Sequence, residues 1–187
     1  MDPATAELKP DAGIVLREPR GGDLSFLFLR HMQTLAAHHG WDARYEGHLM
    51  EIGARALLHL DPSCERFWIA EKDGEVVGCV GIVREDETTA RLRTMYVEPT
   101  ARGLGLGRRL VDTCISFCRD AGYSAIVLWT LGVLDTARAL YASAGFRMVS
   151  SEPWDGLGPV EQDETWRLEL GPGSTDAATP NSHSHHS

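Results

Sequence analysis

MYVEPTARGLGLGRRL, residues 95–110, carries glycines at alternate positions, Gly103, Gly105 and Gly107, with arginines on both sides. A strand-like run ends at Pro99, and an amphipathic helical pattern follows the last glycine. Such a junction can present bare backbone N–H groups to an anion, because glycine has no Cβ in the way. The start of the helix adds partial positive charge, and Arg102, Arg108 and Arg109 add formal charge. The combination suits a pyrophosphate. A tight strand-to-helix turn alone would need the glycines but not the arginines.

Two other phosphate loops fit poorly. A P-loop requires Lys-Ser or Lys-Thr after its glycines, and none follows here. A dinucleotide fingerprint sets its third glycine one position later and wants an acidic residue closing the next strand. That strand ends here in Trp129-Thr130-Leu131.

The rest of the chain sets the context. Its 187 residues, 43% hydrophobic, suffice for one domain, and the net charge is −9. An acidic body repels phosphate at long range, which argues against nucleic acid or an anionic membrane as partner and mildly favours cationic ligands such as amines. Cys64, Cys79, Cys114 and Cys118 show no zinc spacing; Cys114 and Cys118, four apart on a helical pattern, read as small core residues. No run approaches the ~20 apolar residues of a membrane span and no signal core precedes the domain, so a reduced cytoplasm is the expected compartment. Residues 1–12 and 171–187 read as disordered tails around a domain over 13–170. His183, His185 and His186 in the second tail read as solvated rather than metal-binding.

Strand and helix patterns alternate through the domain. Strands are expected over 14–17, 66–71, 75–84, 91–97, 125–130, 146–151 and 164–170, and helices over 23–39, 42–59, from the glycine loop to 121, and over 135–144. Asp73-Gly74 marks a hairpin turn. The order implies an α/β sandwich with a mixed sheet.

Residues 95–107 resemble the acetyl-CoA-binding motif of the GNAT superfamily of N-acetyltransferases. ARALYASAGF, residues 137–146, is similar to that superfamily's second signature, a helix ending Leu-Tyr-x-x-x-Gly-Phe. The resemblance covers roughly residues 13–170 and implies a mostly antiparallel central sheet flanked by helices. More narrowly, Gly40-Trp41-Asp42, His59-Leu60-Asp61-Pro62, Trp68-Ile69-Ala70-Glu71 and Leu128-Trp129-Thr130 resemble the acetyltransferase half of bacterial MarR–GNAT fusion proteins. The winged-helix half has no room here, so DNA binding is not implied.

The resemblance implies acetyl-CoA as co-substrate, with no metal. It would be held by Met95, Tyr96, Val97, Arg102, Gly103, Leu104, Gly105, Leu106, Gly107 and Arg108. Met95 and Val97 would pair with the pantetheine arm as an added strand, where the strand over 91–97 splays from that over 125–130. The backbone from Gly103 to Arg108 would wrap the pyrophosphate. Many relatives carry an asparagine just before the Tyr141 helix, where this chain has Leu131-Gly132-Val133-Leu134.

Acetyl transfer to an amine needs an oxyanion donor, an acid for the departing thiolate and a sink for the amine's proton. By resemblance the Val97 N–H is the donor and Tyr141 the acid. Some relatives carry a base on the central strand, but Arg91 and Arg93 stand there in this chain. Glu51, which shares a helix face with His48, is the candidate base; Glu46 points elsewhere, and a water chain is the alternative. His38 and His39, adjacent on a helix, diverge and cannot chelate one ion. Trp41, Tyr45, Trp129 and Trp166 read as core residues that could also wall an acceptor pocket.

The expected activity is therefore acetyl transfer to a small-molecule amine in a ternary complex, with a homodimer compatible. A non-catalytic acyl-CoA sensor and an acetyltransferase acting on protein or aminoacyl-tRNA are the alternatives.

Overall fold

The computed structural model describes residues 13–171. The expected tails lie outside the described residues, Gly171 apart, and His183, His185 and His186 lie with them. The elements are β1 (Ile14–Arg17), α1 (Asp23–His31), α2 (Ala37–His39), α3 (Ala43–Leu58), β2 (Arg66–Lys72), β3 (Glu75–Arg84), β4 (Thr89–Val97), α4 (Leu106–Asp120), β5 (Ala125–Leu131), α5 (Asp135–Ser143), β6 (Arg147–Trp154) and β7 (Glu161–Glu169). One seven-stranded sheet runs β1-β2-β3-β4-β5-β7-β6. Every neighbouring pair is antiparallel except β4 and β5. The mixed, mostly antiparallel α/β architecture agrees with the sequence pattern.

The sheet separates two cores. On one face α4 lays down Leu106, Leu110, Val111, Cys114, Ile115 and Cys118, the apolar stripe of its 3–4 spacing, against Val80, Ile82, Leu92, Ile126 and Leu128. Burying one such leucine is worth about 1.5–3 kcal/mol. On the other face Leu24, Leu27 and Phe28 of α1 and Tyr45 and Leu49 of α3 cover Phe67, Ile69, Cys79 and Val83. All four cysteines are free and buried.

Beyond shifts of one to three residues at several element ends, three departures from the sequence expectation have a physical reason. The helix expected over 23–39 holds a π-helical turn, Met32–Ala36, between α1 and α2. The chain stays helical through these five residues, too short a stretch for a change of period to show in the sequence pattern. Lys72 belongs to β2, leaving Asp73-Gly74 as a two-residue turn with φ of 52° and 84°, as the hairpin type requires. The last hairpin is longer than expected, because β6 continues through Ser150, Ser151 and Pro153 to Trp154. As an outer strand exposed along nearly all its length, β6 shows no alternation to read.

Candidate active site

The groove begins with a fault in β4. Register shifts between Cys79 and Gly81 of β3, and opposite that shift Thr94 takes a positive φ of 51°, rare for a β-branched residue. The extra residue reverses the alternation of the strand. Before it, Ala90 and Leu92 face the α4 core; after it, Met95 and Val97 do. Arg91, Arg93 and Tyr96 therefore share the opposite, α3-facing side.

Pairing with β5 stops at the same place. The parallel ladder runs from Thr89↔Ala125 to Leu92↔Leu128 and no further. Beyond it the strands part, as the splay implied by resemblance requires. The Glu98 N–H donates to the Val77 carbonyl at 2.8 Å. Strand alternation turns the Val97 N–H the other way, toward the gap left by β5.

A short 3₁₀ turn, Pro99–Ala101, carries the chain into the glycine loop. Arg30 of α1 grips both oxygens of the buried Glu98 carboxylate, at 2.7 and 3.1 Å, and fixes this corner. Gly103 and Gly105 have φ of 75° and 79°, the left-handed region glycine tolerates, and Gly105 caps α4. Gly107 sits at a close approach instead. A Cβ there would stand 3.1 Å from Leu140, so its absence lets α4 approach α5. From Gly103 to Arg108 no backbone N–H donates to a carbonyl among the described residues. Unpaired N–H groups at a helix N-terminus are an anion-binding arrangement.

Arg102 is exposed and lines the groove. Arg108 spans Asp112 at 2.9 Å and the Ser143 carbonyl at 3.3 Å. Arg109 instead donates to the Ile14 carbonyl at 2.8 Å and holds β1, so its charge serves the fold.

One continuous groove of ≈ 1760 Å³ collects nearly every residue predicted from the sequence. Met95, Tyr96, Val97, Arg102, Gly103, Gly105, Leu106, Gly107 and Arg108 line it, as do Tyr141 and Glu51. Leu104 does not; it is exposed on the loop's outer side. Tyr141 is 5% exposed, packs its ring on Phe146, and makes no hydrogen bond through its phenol among the described residues. Burial raises its pKa, so the phenol stays protonated. Val133 and Leu134, where relatives carry an asparagine nearby, contribute apolar wall.

The half of the groove beneath α3 is walled by His48, Glu51 and Arg55 of that helix, with Trp41, Tyr45 and Trp129. Glu51 is exposed and Glu46 lies off the groove, as helical spacing predicted. Trp166 is elsewhere, in the α4 core, donating to Glu164 at 2.8 Å. His38 and His39, expected to diverge, instead meet edge to face with ring centroids 4.8 Å apart, because His39 stacks on Trp41.

Sequence reasoning missed His31. Its buried ring lies 4.5 Å from that of Tyr96, and burial pushes its pKa down to about 3. It stays neutral, and at that basicity it is a poor proton acceptor near neutral pH. A lone histidine on an apolar helix face gave no signal to find it by.

The acetyltransferase (GNAT) family model matches residues 26–146. Over 92 residues the chain is 41% identical to N-acetylaspartate synthetase of Danio rerio, covering 49% of this chain and 33% of that protein. Over 121 residues it is 38% identical to IAA acetyltransferase of Azospirillum brasilense, covering 62% of this chain and 77% of that protein. The chain thus spans about a third of the first relative's length. The structure of yncA from Salmonella typhimurium with its cofactor acetyl-CoA superposes with a TM-score of 0.65. That match is 23% identical over 89% of this chain and 99% of that one, a likeness of fold.

Proposed function

Because this chain belongs to the acetyltransferase (GNAT) family, we propose that it moves an acetyl group from acetyl-CoA to the primary amine of a small molecule, by direct transfer within one groove. The observation that carries this reading is the row of unpaired N–H groups from Gly103 to Arg108, opening beside the unpaired edge of β4.

The residues fit acetyl-CoA. Two left-handed glycines leave open space above the loop, and Arg102 and Arg108 flank the head of α4. These would hold the pyrophosphate, while the backbone of Met95 and Val97 would pair with the pantetheine arm. The bound molecule supplies an activated acetyl thioester. The Val97 N–H, turned into the gap, would stabilise the developing oxyanion. Tyr141, kept protonated by burial, would deliver a proton to the sulfur. Glu51, on the acceptor side, would receive the amine's excess proton directly or through water.

The net charge of −9 supports a small molecule rather than nucleic acid as partner. A cytoplasmic setting belongs to the same proposal and is supported by the four free, buried cysteines. Among the described residues no helix is long and apolar enough to cross a membrane.

Thiol release from acetyl-CoA against a broad panel of amines tests the proposal. Release with one acceptor class, suppressed by Tyr141→Phe, is the expected result. No release from a protein that calorimetry shows to bind acetyl-CoA would move the assignment to an acyl-CoA sensor.

A further inference from the structure

The α3 side of the groove holds more positive charge than a plain amine acceptor would call for. Arg91 and Arg93 project from β4 toward Arg55 on α3, and all three line the groove. Two of them are spoken for. Arg91 is paired with Glu85. Arg55 is paired with Glu65, a buried carboxylate that also accepts the N–H groups of Asp61 and Arg84 at 3.0 and 2.8 Å.

Arg93 is different. It is half-buried, yet its side chain makes no hydrogen bond or ion pair among the described residues. Withdrawal from water and the neighbouring Arg91 and Arg55 lower its pKa, while Glu85 and Glu51 act in the opposite direction. A guanidinium does not deprotonate in proteins and carries five N–H donors in a planar fork. Held in a groove with those donors unmet, it is built for an oxyanion that arrives from outside.

Position narrows which oxyanion. The pyrophosphate loop lies beyond the other end of β4, and the alternation before Thr94 turns Arg93 toward α3 rather than α4. Arg93 stands just upstream of Met95 across the Thr94 bulge, and both line the same groove. An anion there would sit next to the acceptor's amine. Glu51 on the facing helix supplies the complementary charge for an ammonium group.

We propose that Arg93 receives a carboxylate of the acceptor, so that the amine substrate is an amino acid or a derivative keeping its carboxylate, rather than a polyamine or a neutral amine. This rests on the acetyl-transfer reading above. It also reverses, inside the groove, the long-range preference for cations set by the net charge. A polyamine would meet the unpaired charge of Arg93, next to Arg55 and Arg91, whose charges Glu65 and Glu85 offset.

The experiment compares acceptors that share a skeleton with and without the carboxylate, such as phenylalanine with phenethylamine, lysine with cadaverine, and γ-aminobutyrate with propylamine. Thiol release gives kcat/KM, and calorimetry on the CoA-saturated protein gives binding without turnover. Carboxylated members are expected to be favoured roughly 10- to 100-fold, the size of a charge-assisted pair. Arg93→Gln is expected to remove that preference, Arg93→Lys to restore part of it, and both to leave acetyl-CoA affinity unchanged.

Equal or better use of the decarboxylated partners by the wild-type protein overturns the proposal. So does an Arg93→Gln variant, folded by its melting temperature, that loses both kinds of acceptor alike. If no acceptor releases thiol, the transfer reading fails, and the binding arm still decides Arg93. Carboxylate-dependent binding lost in Arg93→Gln upholds the proposal, and its absence overturns it.

Discussion

The phenol oxygen of Tyr45 lies 2.9 Å from Nδ1 of His31, and the other ring nitrogen of that histidine is buried with no partner among the described residues. The pair locks α1 to α3 beneath the acceptor half of the groove, with the imidazole held neutral. In the unfolded chain that imidazole titrates near 6.5; in the folded one burial brings it to about 3.

Protons therefore bind the unfolded state first. The stability due to a neutral His31 is complete above pH ~6.5 and is lost as pH falls toward 3, by a total on the order of 5 kcal/mol. Between pH 6.5 and 4.5, before most carboxylates titrate, the denaturation midpoint in urea should fall steadily. His31→Gln, which keeps a partner for Tyr45, should flatten that part of the curve. An equal slope in both proteins would assign the loss to other groups.

Tyr141→Phe removes only an oxygen from a ring that packs on Phe146. It should leave acetyl-CoA affinity unchanged and lower kcat about tenfold or more. The raised pKa of the phenol gives the pH profile a sign. Tyr141 stays a donor well past pH 9, so it should cause no alkaline decline of kcat up to about pH 10. A kcat equal to wild type would remove Tyr141 from the chemistry.

The glycines of the loop should separate by variant. Gly105→Ala forces a side chain into the left-handed region, at a cost of about 1–2 kcal/mol, and should raise the KM for acetyl-CoA by disturbing the N–H groups at the head of α4. Gly107→Ala meets only the flexible end of Leu140, at 3.1 Å, inside a helix. Alanine's helical advantage, up to about 1 kcal/mol, offsets that contact. Thermal melts should show a clear drop for the first variant and little change for the second.

All four cysteines are buried, and burial pushes the thiols of Cys79 and Cys118 up to about 12. Ellman's reagent should therefore find almost no thiol in the native protein and four after denaturation. Rapid labelling of even one thiol under native conditions would show that a core opens easily. If the prediction holds, the thiol released from acetyl-CoA can be followed against a quiet background.

The glycine-loop half of the groove was legible in the sequence, because its backbone depends on residue types with few substitutes. Glycines at 103 and 105 supply positive φ, and Asp73-Gly74 closes the first hairpin for the same reason. The half beneath α3 was not legible. Thr94 looks like an ordinary strand residue, and nothing in its identity announces a positive φ. Arg93 reads as the absence of an acid until the structure shows Arg91 and Arg55 already paired and Arg93 left over. The π-turn at Met32–Ala36 and the exposed β6 escaped because one alters a helical pattern over only five residues and the other has no periodicity at all.

Thr94 acts as a phase shifter. Upstream of it the odd-numbered residues of β4 face α3, downstream they face α4, and a single residue sets the offset. Straightening the chain at Thr94 is a matter of parity: with all of β4 in regular alternation, Met95 and Val97 would turn toward α3 and Tyr96 into the α4 core. Positions 91 and 93 can change identity without disturbing that parity, whereas the bulge cannot be lost from a strand of this length.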